Sequence, residues 1–180
     1  MKYNPKKHHR RSIRLKGYDY SQAGLYFITI CVQNRKCLFG DITNGKINLN
    51  DAGRMVENQW LALPNRFTNI HLHEYVVMPN HFHSILEIVE GETLVVSQNE
   101  PIAPNKKTVG DIVGAFQSIA TVEYIRGVKN HNWNRFNKKL WQRNYWEHII
   151  RNDAECNRIA NYIINNPRKW TNDKFNSENP

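Results

Sequence analysis

The 180-residue sequence predicts an α+β domain whose helices pack on a mainly antiparallel sheet. Segments rich in β-branched and aromatic residues alternate with amphipathic helical ones, in the order β, hairpin, α, β, β, α, β, α. Two turn signals, Asn44-Gly45 and Pro79-Asn80, leave no room for a crossover, so the strands flanking each must run antiparallel. Each helical stretch carries an apolar stripe to bury, and this places the helices on one side of the sheet.

Residues 1–20 form a basic arm, with Lys6, Lys7, Arg10, Arg11 and Arg14, that orders on binding. Leu25 to Val32 is a strand. Cys37 to Gly40 and Lys46 to Leu49 flank Asn44-Gly45 and read as a hairpin. Asn50 or Asp51 caps a helix with Met55, Val56, Trp60 and Leu63 at helical spacing, ending at Pro64. Two strands, around His71 to Met78 and His81 to Val89, pair through Pro79-Asn80. Glu90 to Lys107, polar with two prolines, is a surface loop. Thr108 caps a helix to about Ile125, and Gly127 to Lys139 is loop-like. Leu140-Trp141-Gln142 and Trp146 to Ile150 form a short strand and its exit. Asp153 caps a last helix from Ala154 to about Asn165, stopped by Pro167. One domain thus spans residues 21–170, followed by a tail over 171–180. A ferredoxin-like (RRM-like) sandwich fits this order best, though that fold serves many functions and fixes none.

Formal net charge is +9 and the isoelectric point about 9.6, which favours a polyanionic partner, most commonly nucleic acid. Beyond the arm, a second basic zone from Arg126 to Arg151 mixes Lys129, Arg135, Lys138, Lys139 and Arg143 with aromatic residues. Cations hold phosphates and rings stack on bases, so such mixing suits single-stranded nucleic acid, although some rings must serve the core. No run of about twenty apolar residues is present, so no membrane span is expected. No apolar stretch follows the basic start, which argues against a secretory signal. Cys31, Cys37 and Cys156 lack paired spacing and suit a reducing cytoplasm.

The chemistry centres on His81-Phe82-His83, at the mouth of an apolar run. Alternate side chains of a strand share a face, so both imidazoles point the same way, as needed to offer two neutral nitrogens to one divalent cation. The spacing alone is common. His71-Leu72-His73 repeats it without the preceding turn or the long apolar strand, and reads as structural. On the last helix Cys156, Ile159, Ala160 and Ile163 form the apolar face, with Glu155, Arg158, Tyr162 and Asn166 along one flank. A phenol and a carboxamide one turn apart suit a nucleophile and an oxygen ligand. From the helix alone, a half-buried tyrosine and a helix-ending asparagine remain the simpler reading.

Three segments taken together carry a family resemblance: Tyr75 to His83, Trp141 to Asn152, and Tyr162-Ile163-Ile164-Asn165-Asn166-Pro167. In register they resemble the single-tyrosine HUH transposases, above all the REP-associated tyrosine transposases related to the insertion-sequence 200/605 group. Arg14-Leu15 and Tyr20 through Ile30 also resemble that family's opening, so the likeness runs from about Arg10 to Trp170. The resemblance implies that His81 and His83 are paired metal ligands, that Asn166 completes a Mg²⁺ or Mn²⁺ site, and that Tyr162 is the nucleophile. Tyr145, the rival tyrosine, precedes the helix and lacks a partner four residues on. Glu147-His148 is read as structural or DNA-contacting.

It further implies attack on a metal-bound phosphate, leaving a 5′-phosphotyrosine and a free 3′-hydroxyl, which another 3′-hydroxyl can reverse without a nucleoside triphosphate. No Gly-x-x-x-x-Gly-Lys loop occurs. The implied substrate is single-stranded DNA folded into REP-like palindromic hairpins, gripped by Lys6, Lys7, Arg10, Arg11, Arg14, Arg143 and Arg158. The implied setting is the bacterial cytoplasm at the nucleoid, with the protein acting as monomer or homodimer. Two alternatives stay open. One is a non-catalytic nucleic-acid-binding protein; the other is a metal-dependent phosphodiesterase using activated water, with Tyr162 structural.

Overall fold

The computed structural model describes residues 15, 17–90 and 107–176. The basic-arm residues Lys6, Lys7, Arg10, Arg11 and Arg14 lie outside them, as does nearly all of the segment read as a surface loop. Strands β1 (Gly24–Cys31), β4 (Ile70–Val77), β5 (His81–Ile88) and β6 (Trp146–Ile150) form one antiparallel sheet in the order β4-β5-β1-β6. Strands β2 (Gly40–Thr43) and β3 (Lys46–Leu49) form a separate ribbon. With helices α1 (Asp51–Leu61) and α2 (Val109–Asn130), the path β1-α1-β4-β5-α2-β6 is the ferredoxin-like arrangement. Helix α3 (Asp153–Asn165) follows.

The helices do not share one side of the sheet, which corrects the sequence expectation. Val56 and Trp60 of α1 and Ile112 and Phe116 of α2 join Tyr26, Ile28, Ile30 and Phe82 in the main core. On the opposite face α3 packs Ile159 and Ile163 against Ile85 and Ile150. Strand β5 is therefore sandwiched, and Ile85 and Leu86 are both fully buried although they point to opposite faces.

Local differences have local causes. The ribbon turn holds Asn44 at φ 52° and Gly45 at φ 71°, the left-handed pair that suits a tight two-residue hairpin. Its first strand starts only at Gly40, because Leu38 and Phe39 are core residues whose N–H groups donate to the Pro79 carbonyl. Asn50 and Asn152, rather than Asp51 and Asp153, cap α1 and α3, accepting from Gly53 N at 2.9 Å and Glu155 N at 2.8 Å. Helix α2 runs past Gly127, where Trp133 packs so close that no side chain would fit.

Gly53 is a second close approach. A Cβ there would overlap the Phe39 carbonyl oxygen and stand 2.9 Å from Leu49 Cδ2. The backbone oxygen cannot yield, so Gly53→Ala is expected to destabilise by about 1–3 kcal/mol. A lowered urea midpoint at unchanged slope would register it.

Candidate active site

The short β4–β5 turn, closed by Met78 N–H to the His81 carbonyl at 2.8 Å, delivers His81 and His83 to the α3 face of the sheet. Their rings lie 4.6 Å apart, and both side chains are almost wholly buried. Each Nδ1 is engaged. His83 Nδ1 lies 2.7 Å from Thr29 Oγ1 on the facing strand, and His81 Nδ1 lies 2.8 Å from Asn80 Oδ1. The Nε2 atoms turn into the site. That of His83 is 3.3 Å from the Tyr162 hydroxyl, and that of His81 has no hydrogen-bond partner among the described residues. Asn166, one turn beyond Tyr162, is 1% exposed. Its amide stands near enough to His81 and Tyr162 to affect their titration, yet neither Oδ1 nor Nδ2 is in an aligned hydrogen bond. Four groups named from the sequence thus meet at one buried point.

Burial pushes the His81 imidazole down to about 3 against the opposing pull of Asn166, and the charges of Arg35 and Lys174 add to the depression. Burial also holds His83 well below the ordinary histidine range, helped by His81 and Lys174. Both rings are therefore neutral at pH 7, with lone pairs available. Burial raises the Tyr162 phenol above its usual value; the Asp173 carboxylate adds to this and Asn166 opposes it. Unaided, that phenol is a protonated and weak nucleophile.

The histidine depression has a stability consequence. Between pH 6.5 and about 3 the unfolded chain binds protons at His81 that the folded chain refuses. This contribution is complete above pH 6.5 and is lost as pH falls, at up to about 1.4 kcal/mol per pH unit for each such histidine. Denaturant titrations from pH 7 to 4 should show the decline, and a His81→Leu/His83→Leu double variant should flatten it. Equal slopes in the two proteins would contradict it.

An open cleft of about 1160 Å³ adjoins these groups, lined by His83, Tyr162 and Asn166, by the cations Arg158, Lys169 and Lys174, and by the carboxylates Glu147 and Asp173. Trp146, 59% exposed, stands at its wall. Arg143 is exposed but does not line the cleft, so of the described residues expected to grip DNA only Arg158 does. Most other rings of the aromatic-basic zone belong to the fold: Trp141 is buried, and Trp133, Phe136 and Tyr145 pack against the main core. His71 and His73 both reach Glu87, at 3.5 and 2.8 Å, and His148 Nε2 meets Glu155 at 2.8 Å. Among the described residues no group of three His, Cys, Asp or Glu side chains is placed to hold a metal; the cluster here is two imidazoles and an amide.

Sequence reasoning missed several contributors. Thr29 looked like any strand threonine, and Asn80 like a turn residue. After Asn172 the chain folds back, setting the Phe175 ring 4.7 Å from His81 and 5.9 Å from His83. Nothing in its local sequence signals that return.

No protein-family model matches the chain. Its fold is similar to that of a solved transposase. A solved REP-associated tyrosine transposase, bound to a REP hairpin, superposes with a TM-score of 0.56 at 19% identity, covering 88% of this chain and 74% of that one. In sequence the chain is 43% identical over 184 residues, 97% of each chain, to an uncharacterized protein of Haemophilus influenzae. It is 25% identical over 155 residues, 84% of this chain and 74% of the relative, to a protein of the same organism provisionally named a REP-associated tyrosine transposase. The chain belongs to one family with the first of these proteins and is a distant homologue of the second.

Proposed function

We propose that the protein is a DNA transposase, a single-strand endonuclease and strand-transferase acting on hairpin-forming palindromic DNA through a 5′-phosphotyrosine at Tyr162. The observation that carries this reading is the meeting of the Tyr162 hydroxyl, both imidazole Nε2 atoms and the Asn166 amide beside an open cleft that three cations help to line. The kinship with transposases supports the reaction class, and the hairpin held by the structural neighbour supports the form of the DNA.

Buried and neutral, the donors of His81, His83 and Asn166 fit a small divalent cation: His81 Nε2 and Asn166 Oδ1 have no hydrogen-bond partner among the described residues, and His83 Nε2 meets the Tyr162 hydroxyl. Mg²⁺ or Mn²⁺ held there would supply Lewis-acid stabilisation of phosphate charge. The chain's own residues do the rest. Thr29 and Asn80 hold the rings, and α3 holds the phenol at the edge of the site. The Tyr162 oxygen forms its bond to phosphorus as the bond to the 3′ oxygen breaks. The phenol loses its proton and the departing oxygen gains one, leaving a free 3′-hydroxyl. Arg158, Lys169 and Lys174 neutralise flanking phosphates, while Trp146 offers a face to an unpaired base. Tyr162 reaches His83 of its own chain, so the cluster is complete without a residue from a second copy.

The test is incubation with single-stranded hairpins taken from palindromes flanking the gene, in Mn²⁺, followed by denaturing electrophoresis. A covalent protein–DNA adduct together with a 3′-hydroxyl fragment is expected. No adduct with any hairpin would favour a non-catalytic nucleic-acid-binding protein.

A further inference from the structure

We propose that Asn80 is a positioning residue that fixes His81 as the Nδ1–H tautomer and so keeps the Nε2 lone pair turned into the site. The inference rests on the reading of His81 as a cation ligand. Asn80 is fully buried in the β4–β5 turn, and its side chain is committed on both sides. The Nδ2 group donates to two backbone carbonyls, Arg35 at 3.0 Å and Phe175 at 2.8 Å. Carbonyls cannot donate, so rotating the amide by half a turn would set its oxygen against both of them. The Oδ1 atom is thereby aimed at His81 Nδ1, 2.8 Å away. An amide oxygen only accepts, so that nitrogen carries the ring's proton and Nε2 is left bare. Nε2 is the buried His81 atom that has no partner among the described residues.

The neighbouring histidine lacks this determinacy. Thr29 Oγ1 can either give or take a hydrogen bond at His83 Nδ1, so it orients the ring without choosing the tautomer. Without Asn80 the His81 ring is free to place its proton on Nε2, which removes that donor from the site. Asn80 also ties the site to two distant stretches, the loop after β1 and the returning C-terminal segment, so ring orientation depends on both being in place.

Long-range proton–nitrogen correlation spectra of the metal-free, ¹⁵N-labelled protein read the tautomer directly. Wild-type His81 should appear as Nδ1–H alone. Asn80→Ala should mix the tautomers and weaken Mn²⁺ binding, measured by calorimetry, by about 10–100-fold, with the far-UV spectrum unchanged. A wild-type His81 protonated on Nε2 overturns the proposal without any variant, whether or not Asn80→Ala folds. So does a folded Asn80→Ala protein with an unmixed tautomer or an Mn²⁺ affinity within twofold of wild type. If wild type binds no Mn²⁺, the cation reading fails on its own, and the tautomer still decides the role of Asn80.

Discussion

Tyr162→Phe is expected to abolish both the covalent adduct and strand cleavage, a loss on the order of 10⁴-fold or more, as for removal of other nucleophiles. The substitution is clean because it removes one oxygen and little else. The ring would keep its edge contact with Phe27, centroids 6.1 Å apart, and its place beside the apolar face of α3. The hydrogen bond it gives up, 3.3 Å to His83 Nε2, is long, so folding stability should change by no more than about 1 kcal/mol. Thermal melts of the two proteins should nearly coincide while the adduct band disappears. Cleavage that survives in Tyr162→Phe would instead assign the reaction to activated water, with the tyrosine structural. Tyr145→Phe serves as the control, because that ring packs against the main core and not in the cleft.

Replacing either histidine should cost somewhat less activity and reveal itself differently. His83→Ala removes a donor and leaves a gap beneath Phe175, so two losses must be separated: one of folding, about 2–4 kcal/mol by analogy with other buried truncations, and one of cation binding. Mn²⁺ titration during thermal unfolding separates them. A ligand at 100 times its Kd stabilises by about 2.7 kcal/mol, so wild type should melt several degrees higher with Mn²⁺ than with a chelator. His81→Ala and His83→Ala should lose that increment, whatever their melting points in chelator. An increment that persists in both variants would place the cation elsewhere. DNA cleavage should fall by about 10³-fold in each, consistent with several kcal/mol of charge stabilisation from a bound metal.

The elements were legible where pattern and turn chemistry agreed. Asn44-Gly45 and Pro79-Asn80 named their hairpins, and the apolar stripe Cys156, Ile159, Ala160, Ile163 found its face of α3. The placement of α3 on the far side of the sheet was written in β5, whose Ser84-Ile85-Leu86 run does not alternate as a half-solvated strand should. The candidate cluster was legible because each half obeys a local period, two for His81 and His83, four for Tyr162 and Asn166. Its supports were not. Thr29 meets His83 across a sequence separation of 54 residues, and Asn80 meets Phe175 across 95, so only the closed fold makes them neighbours. Trp141 and Trp133 show the reverse error: aromatic residues among cations look like a nucleic-acid surface until the core claims them.

Because β5 is covered on both faces, this sheet separates two kinds of inheritance. Toward α1 and α2 it turns Phe82 and Leu86 into the main core, where substitutions alter how much folded protein a cell keeps. Toward α3 it turns His81 and His83, which pack beside Phe175 and near the small cluster around Ile85 and Ile163, where, on the proposed reading, substitutions reach the chemistry as well as the fold. In a deep mutational scan, substitutions at Phe82 and Leu86 should therefore lose activity only in step with abundance, and those at His81 and His83 should lose more activity than their abundance accounts for. A lineage can in this way lose or redirect its chemistry while its scaffold persists.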